Sequence, residues 1–239
     1  MTAEPMTPAP ATTVERPPGL ELEIEQPKKG YRYNQDPFHL VQFIKNHSEK
    51  WRTQLAGECL DIGCGVGILP LLLARSLSDT RFTGIEIQTE LSRLASTNVE
   101  RNHLTDQIKI INSDYRDSIH DSSVSGRFQW VICNPPYYPM ASGRTNLCPQ
   151  KCIARHEQNT NLNSLAKTAA YFLSGKGLFI TLFPAERLLE LTSQLKAVKL
   201  EPKHLQFVHP KHSDRATMLL LAARKNGAPG IIIDEPLII

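Results

Sequence analysis

The sequence predicts an α/β fold, a mostly parallel, doubly wound sheet closed by a C-terminal antiparallel hairpin. Three observations carry this. From residue 58 onward, seven short apolar runs of strand length are interleaved, over most of the chain, with amphipathic runs of helical length. A glycine-rich turn, Gly63-Cys64-Gly65-Val66-Gly67, directly follows the first of those strands and opens a helix. The last two runs, 201–208 and 216–224, stand too close for a helical crossover and must pair antiparallel.

Each element follows from its residues. Residues 1–18 are rich in Pro, Thr and Ala and poor in large apolar side chains, so they read as a disordered leader. Leu20, Leu22 and Ile24 alternate with three glutamates, the period of a half-buried strand. Residues 26–30 then form a turn, with 31–33 returning as a hairpin partner. Asp36-Pro37 suits a helix start, Asp as cap and Pro in the first turn, and Phe38, Val41, Phe43 and Ile44 give that helix an apolar face. Strands are expected over 58–63, 81–87, 107–111, 128–133 and 178–183, and helices over 68–77, 90–103, 162–173 and 184–198. The region 139–157 has no periodicity and reads as a long loop. Residues 174–177, Ser-Gly-Lys-Gly, should stop the helix before them. The tail 227–239 reads as loose. Residues 19–226 form a single domain, with 19–57 as a lead-in to a core of 58–226.

Composition narrows the function classes. The net charge of +3, from 27 Lys+Arg against 24 Asp+Glu, is too small to imply nucleic acid by itself. Five cysteines do not pair off, and three lie inside apolar runs or beside the glycine turn, which fits reduced thiols in a cytoplasmic protein. Cys148 and Cys152 form a lone C-x-x-x-C with no second pair, so no metal is expected. No run approaches the ~18–20 apolar residues of a membrane span.

Two motifs carry chemistry. Asp61 precedes the turn Gly63-x-Gly65-x-Gly67, where the missing Cβ atoms let the backbone approach a nucleoside ligand closely. A dinucleotide fingerprint is G-x-G-x-x-G. The tighter spacing here, with a carboxylate ahead of it, suits the cationic ammonium of an amino acid better than a pyrophosphate. Glu86 closes the next strand 19 positions after Gly67, where an acidic residue accepts hydrogen bonds from ribose hydroxyls. Asp114 ends the third strand and can accept from an adenine amino group, or serve only as a turn residue. The second motif, Asn134-Pro135-Pro136-Tyr137-Tyr138, stops the apolar run 128–133 at the carboxyl end of a strand, where open α/β sheets bind ligands. The prolines stiffen the loop behind the Asn134 amide.

In this order and spacing, these residues resemble those of class I S-adenosylmethionine-dependent methyltransferases with an Asn-Pro-Pro-Tyr motif. The resemblance implies a Rossmann-like seven-stranded sheet. It also implies that Asp61, Gly63, Gly65 and Gly67 hold the methionine part of S-adenosylmethionine, Glu86 the ribose and Asp114 the adenine. Asn134, Pro135 and Tyr137 would hold the methyl acceptor, a planar NH2 group. A narrower resemblance, carried by 26–36, 134–139 and 150–157, is to the bacterial tRNA-valine adenine-N6 methyltransferases. It implies N6-methylation of an adenine beside the anticodon, by a monomer. Pro136, Tyr138, Arg144, Lys151, Arg155 and His156 would contact tRNA. Two other basic clusters, Lys28-Lys29-Arg32 and Lys203-His204-Lys211-His212-Arg215, could add phosphate contacts. A protein-glutamine N5-methyltransferase, an rRNA guanine-N2 methyltransferase and a catalytically silent cofactor- or RNA-binding protein remain alternatives.

Overall fold

A computed structural model describes residues 11–30, 32–51, 55–117, 125–135, 162–212 and 214–239. Parallel strands β3 (Gly57–Ile62), β4 (Thr80–Glu86), β5 (Ile108–Asn112), β6 (Phe128–Cys133) and β7 (Leu173–Pro184) form the centre of the sheet. They are joined by β8 (Leu200–His209) and β9 (Met218–Lys225) in the order β8-β9-β7-β6-β3-β4-β5. The hairpin is antiparallel, as its short connection requires, and β9 is inserted between β7 and β8. Strand β8 therefore runs parallel to the core strands.

Alternation along the strands divides the apolar side chains between two cores. Cys59, Phe82, Trp130, Ile132 and Ile180 pack on one face with α1 (Asp36–Asn46), α2 (Ile68–Ala74) and α3 (Thr89–Arg101). Leu60, Ile62, Val131, Phe179 and Leu221 pack on the other with α4 (Leu162–Phe172) and α5 (Leu188–Ala197). Helices on both faces make the sheet doubly wound. Trp130, fully buried, meets Phe82 edge-on at 5.7 Å between centroids, a pair that adds about 0.5–1.5 kcal/mol to its burial.

Several local expectations are corrected. Part of the leader is ordered: β1 (Thr12–Glu15) pairs antiparallel with β2 (Ile24–Pro27). That register replaces the strand expected over 20–24; of the hairpin partner expected over 31–33, Arg32 and Tyr33 are in no strand and Tyr31 lies outside the described residues. The β-branched Thr12, Thr13 and Val14 account for the strand. Asp36 is the first residue of the first helix rather than its cap, which is Gln35, and the Asp36 N–H donates to Asn34 Oδ1 at 3.0 Å in the turn before it. Residues 174–177 do not separate helix from strand, because β7 already begins at Leu173 and absorbs them at a register shift opposite β6. Nor is the tail loose: β10 (Ile232–Ile233) and β11 (Leu237–Ile238) each pair parallel with the outer edge of β8.

The lead-in is bound to the core by side-chain amides. Asn98 Oδ1 accepts the Glu25 N–H at 2.7 Å, while its Nδ2 donates to the Glu25 and Val66 carbonyls at 2.9 and 3.0 Å. One turn later, Asn102 repeats the pattern on Glu23, accepting its N–H at 3.0 Å and donating to its carbonyl at 2.7 Å. Two amides at i, i+4 on α3 thus supply hydrogen bonds of the kind a neighbouring strand would give. The Val66 contact connects this lead-in to the glycine turn.

Candidate active site

The glycine turn forms because three residues adopt positive φ: Gly63 at 74°, Gly65 at 57° and Gly67 at 82°. A Cβ at any of them would be strained there. The Gly63 and Cys64 N–H groups both donate to the Ile85 carbonyl, at 2.9 and 3.0 Å, which anchors the turn to β4. A Cβ built on Gly63 meets nothing within 4 Å, so that side of the turn is open.

Asp61 sits one residue before the end of β3 and is 1% exposed. Its partners in register are Gly84 on β4 and Ile132 on β6, neither with a polar side chain. Both of its carboxylate oxygens are buried without a hydrogen-bond partner. Burial, followed by the charge of Glu86, raises its pKa well above the usual carboxylate range. A buried acid with no donor beside an open turn is costly to the fold and suited to a cationic ligand.

Glu86, at the end of β4, is engaged. Its Oε2 accepts the Gly65 N–H at 2.9 Å and its Oε1 accepts the Gln88 N–H at 2.9 Å. Burial raises its pKa, and the backbone N–H groups oppose that shift. Asn112, its partner in register on β5, donates to the Glu86 and Ile87 carbonyls at 2.8 and 3.2 Å.

Asp114 is less available than its position suggests. Arg116 reaches both carboxylate oxygens through Nε at 2.9 Å and adds an Nη2 contact, and its backbone N–H donates at 2.9 Å. The guanidinium holds the Asp114 pKa below its ordinary value. Arg116 is a site neighbour that motif reasoning missed, although the spacing Asp-x-Arg was visible.

Asn134 and Pro135 follow β6 directly, half-buried and buried. Strand order places them one strand from Asp61 and two from Glu86, at the same carboxyl edge. With strands ~4.8 Å apart, the edge from Asn134 to Glu86 spans roughly 10 Å. Pro136, Tyr137, Tyr138, Arg144, Lys151, Arg155 and His156 lie outside the described residues, as do Cys148 and Cys152. Cys59, Cys64 and Cys133 are buried free thiols.

The other basic clusters divide. Arg32 is spent on Glu15, Thr13 and the Pro27 carbonyl, leaving Lys28 and Lys29 exposed. His204 is buried at 8% exposure, halfway along β8, and cannot face RNA. Lys211, His212 and Arg215 are exposed on the β8–β9 loop, which opens at the same edge as Asp61 and Asn134. Among the described residues, no helix is long and apolar enough to cross a membrane.

The sheet order and the acidic residues at its carboxyl edge define a Rossmann-like methyltransferase fold. The chain belongs to the methyltransferase small domain family, whose model matches residues 40–159. It is 33% identical over 134 residues to the tRNA1(Val) (adenine(37)-N6)-methyltransferase of Porphyromonas gingivalis W83, covering 56% of this chain and 52% of that protein. The chain spans about half the length of the curated relatives it matches. Among solved structures, Atu636 of Agrobacterium tumefaciens, described as a predicted O-methyltransferase, matches with a TM-score of 0.66 at 17% identity, covering 85% of this chain and 86% of that one. The Thermus thermophilus 16S rRNA N2 G1207 methyltransferase, solved with AdoMet and guanosine, matches with a TM-score of 0.61 at 19% identity, covering 94% of this chain and 53% of that one. At such identities the structures share the fold alone.

Proposed function

We propose that this protein is an S-adenosylmethionine-dependent methyltransferase acting on N6 of an adenine beside the anticodon of a tRNA of the tRNA-Val type. The observation that carries the cofactor half is the buried, unpartnered Asp61 carboxylate beside the open face of Gly63. The 33% identity to a tRNA adenine-N6 methyltransferase supports the substrate half.

In this reading Asp61 accepts the ammonium of the methionine moiety and is thereby stabilised in its ionised form. Glu86 uses its remaining lone pairs for the ribose hydroxyls while keeping Gly65 in place. Asp114, already paired with Arg116, offers its outer lone pairs to the adenine amino group. The cofactor supplies a methyl group already activated on a sulfonium. The exocyclic amine of the target adenine is a poor nucleophile because its lone pair is delocalised into the ring. Asn134 Oδ1 and the Pro135 carbonyl each accept one N6–H bond, concentrating electron density on that nitrogen. Tyr137 stacks on the base, a contact worth about 1–3 kcal/mol. Alignment then supplies most of the acceleration. Lys211, His212 and Arg215, at the same edge, bind phosphates beyond the flipped base.

Transfer of labelled methyl groups to bulk tRNA, followed by nucleoside analysis, tests the proposal. Label in N6-methyladenosine is expected. Label in methylguanosine, or in methylglutamine of a protein substrate, would overturn it.

A further inference from the structure

We propose that His47, His204 and Asp234 form a transition-metal site, of zinc type, that clasps the C-terminal tail to the body of the fold. The three come from the end of α1, the middle of β8 and the residue after β10, and each offers one ligand atom within 4.8 Å of the others. His47 Nε2 lies 3.1 Å from Asp234 Oδ2, and His204 Nδ1 lies 3.5 Å from the same oxygen. A tetrahedral zinc with bonds of ~2.0–2.1 Å separates its ligand atoms by about 3.3 Å, which these distances bracket.

The contacts are close without being satisfied. His204 Nδ1 and Asp234 Oδ2 are buried with no hydrogen-bond partner. A buried imidazole nitrogen and a buried carboxylate oxygen 3.5 Å apart, with no hydrogen bond of good geometry between them, are what a shared cation would bridge. His47 is oriented for that role: its Nδ1 lies 2.9 Å from the Phe43 carbonyl, one turn back on α1. With Nδ1–H donating there, Nε2 presents its lone pair to the cluster, the usual arrangement behind a metal-bound imidazole. Trp51 stacks on His47 at 4.5 Å and meets His204 edge-on at 5.4 Å, forming an aromatic wall that fixes both rings. Asp234 is delivered by the backbone, since its N–H donates to the Leu205 carbonyl at 2.8 Å beside the β8–β10 pairing.

Two imidazoles and one carboxylate suit zinc or cobalt, and leave one position for water. His204 lies five residues from His209 at the carboxyl edge, roughly 17 Å along the strand, so the site is separate from the methyl-transfer site. What the site does in the fold is join the tail to α1 and β8, through ligands drawn from all three. Around it the tail holds by two pairings of two residues each, by the Lys203 and Gln206 side chains donating to the Ala228 and Glu235 carbonyls, and by Leu237 packed on the core, while Ile232 and Ile233 stay more than half exposed.

The test is cobalt titration of the full-length protein after chelator treatment. One equivalent should give the visible d–d bands of four-coordinate cobalt, zinc should displace it, and either ion should raise Tm and slow proteolysis of the tail. Asp234→Asn, at a partly exposed position on the tail, and His204→Gln each remove a ligand and should weaken cobalt binding by more than the roughly 10–100-fold that loss of an outer-shell partner costs, with unchanged far-UV circular dichroism. Absence of the bands at one equivalent would overturn the proposal. So would binding that survives Asp234→Asn at wild-type stoichiometry. Should His204→Gln fail to fold, the Asp234→Asn result decides alone.

Discussion

Glu86 braces the glycine turn through Gly65: one carboxylate oxygen accepts the Gly65 N–H at 2.9 Å and the other accepts the Gln88 N–H at 2.9 Å. A single side chain therefore sets both loops that would flank the cofactor. Glu86→Ala should leave two backbone N–H groups without these acceptors and destabilise the protein by about 1–3 kcal/mol. It should also weaken S-adenosylmethionine binding more than tenfold, because turn and ribose contact are lost together. Urea unfolding and calorimetric titration check the pair. Loss of affinity with unchanged stability would show that the Gly65 contact carries no weight in the fold.

Asp61 predicts the opposite sign. Its carboxylate is buried without a partner, so ionisation costs stability in the ligand-free protein. With the folded pKa raised above 3.8, stability falls as pH rises through 3.8 and on to the folded value, and the full penalty stands above that. Asp61→Asn should remove this slope and raise the Tm of the ligand-free protein, by about 2–4 °C for each kcal/mol relieved. The same variant should lose S-adenosylmethionine binding. At a pH where the ligand-free carboxyl is still protonated, binding to the wild type should release a proton, measurable as a dependence of the calorimetric heat on buffer ionisation enthalpy. A variant that binds normally would remove Asp61 from the cofactor site.

Asn98 is fully buried and makes three backbone hydrogen bonds, to the Glu25 N–H and to the Glu25 and Val66 carbonyls. Asn98→Leu keeps the volume and removes all three, each buried group left unpaired costing about 1–3 kcal/mol. The denaturation midpoint should drop sharply with an unchanged m-value. Because Val66 belongs to the glycine turn, cofactor affinity should fall as well. A fall in stability alone would separate the lead-in from the site.

The parallel strands and the Asp61–Gly67 and Asn134 motifs were legible because their signals are local: apolar runs, glycines and prolines at fixed offsets. What was not legible depends on contacts between distant segments. The β1 strand was masked by prolines on either side, and only Ile24–Pro27 supplies its partner. The insertion of β9 between β7 and β8 has no signature in periodicity, since order within a sheet is set by packing. Asn98 and Asn102 did leave a trace, two amides at i, i+4 on the buried face of an amphipathic helix. Arg116 left another beside Asp114. His47, His204 and Asp234 left none, because their spacing follows no metal motif and only the fold brings them together.

Asn134→Ala should separate the two halves of the proposed methyl-transfer site. Asn134 follows β6 and stands beside Pro135, whereas Asp61, Gly63 and Glu86, the residues proposed to hold the cofactor, belong to β3, the turn after it and β4. Removing the amide deletes one acceptor for the target N6–H and leaves the cofactor residues in place. An interaction realised mainly as charge builds on nitrogen should appear in kcat, and loss of one such hydrogen bond typically costs 10²–10³-fold, about 2.7–4 kcal/mol. S-adenosylmethionine affinity should change less than about threefold, within the ~0.6 kcal/mol that RT ln 3 allows. Single-turnover methylation of tRNA and calorimetric binding of the cofactor measure the two separately. Equal loss of both would place Asn134 in the cofactor half, and a wild-type rate would remove it from catalysis.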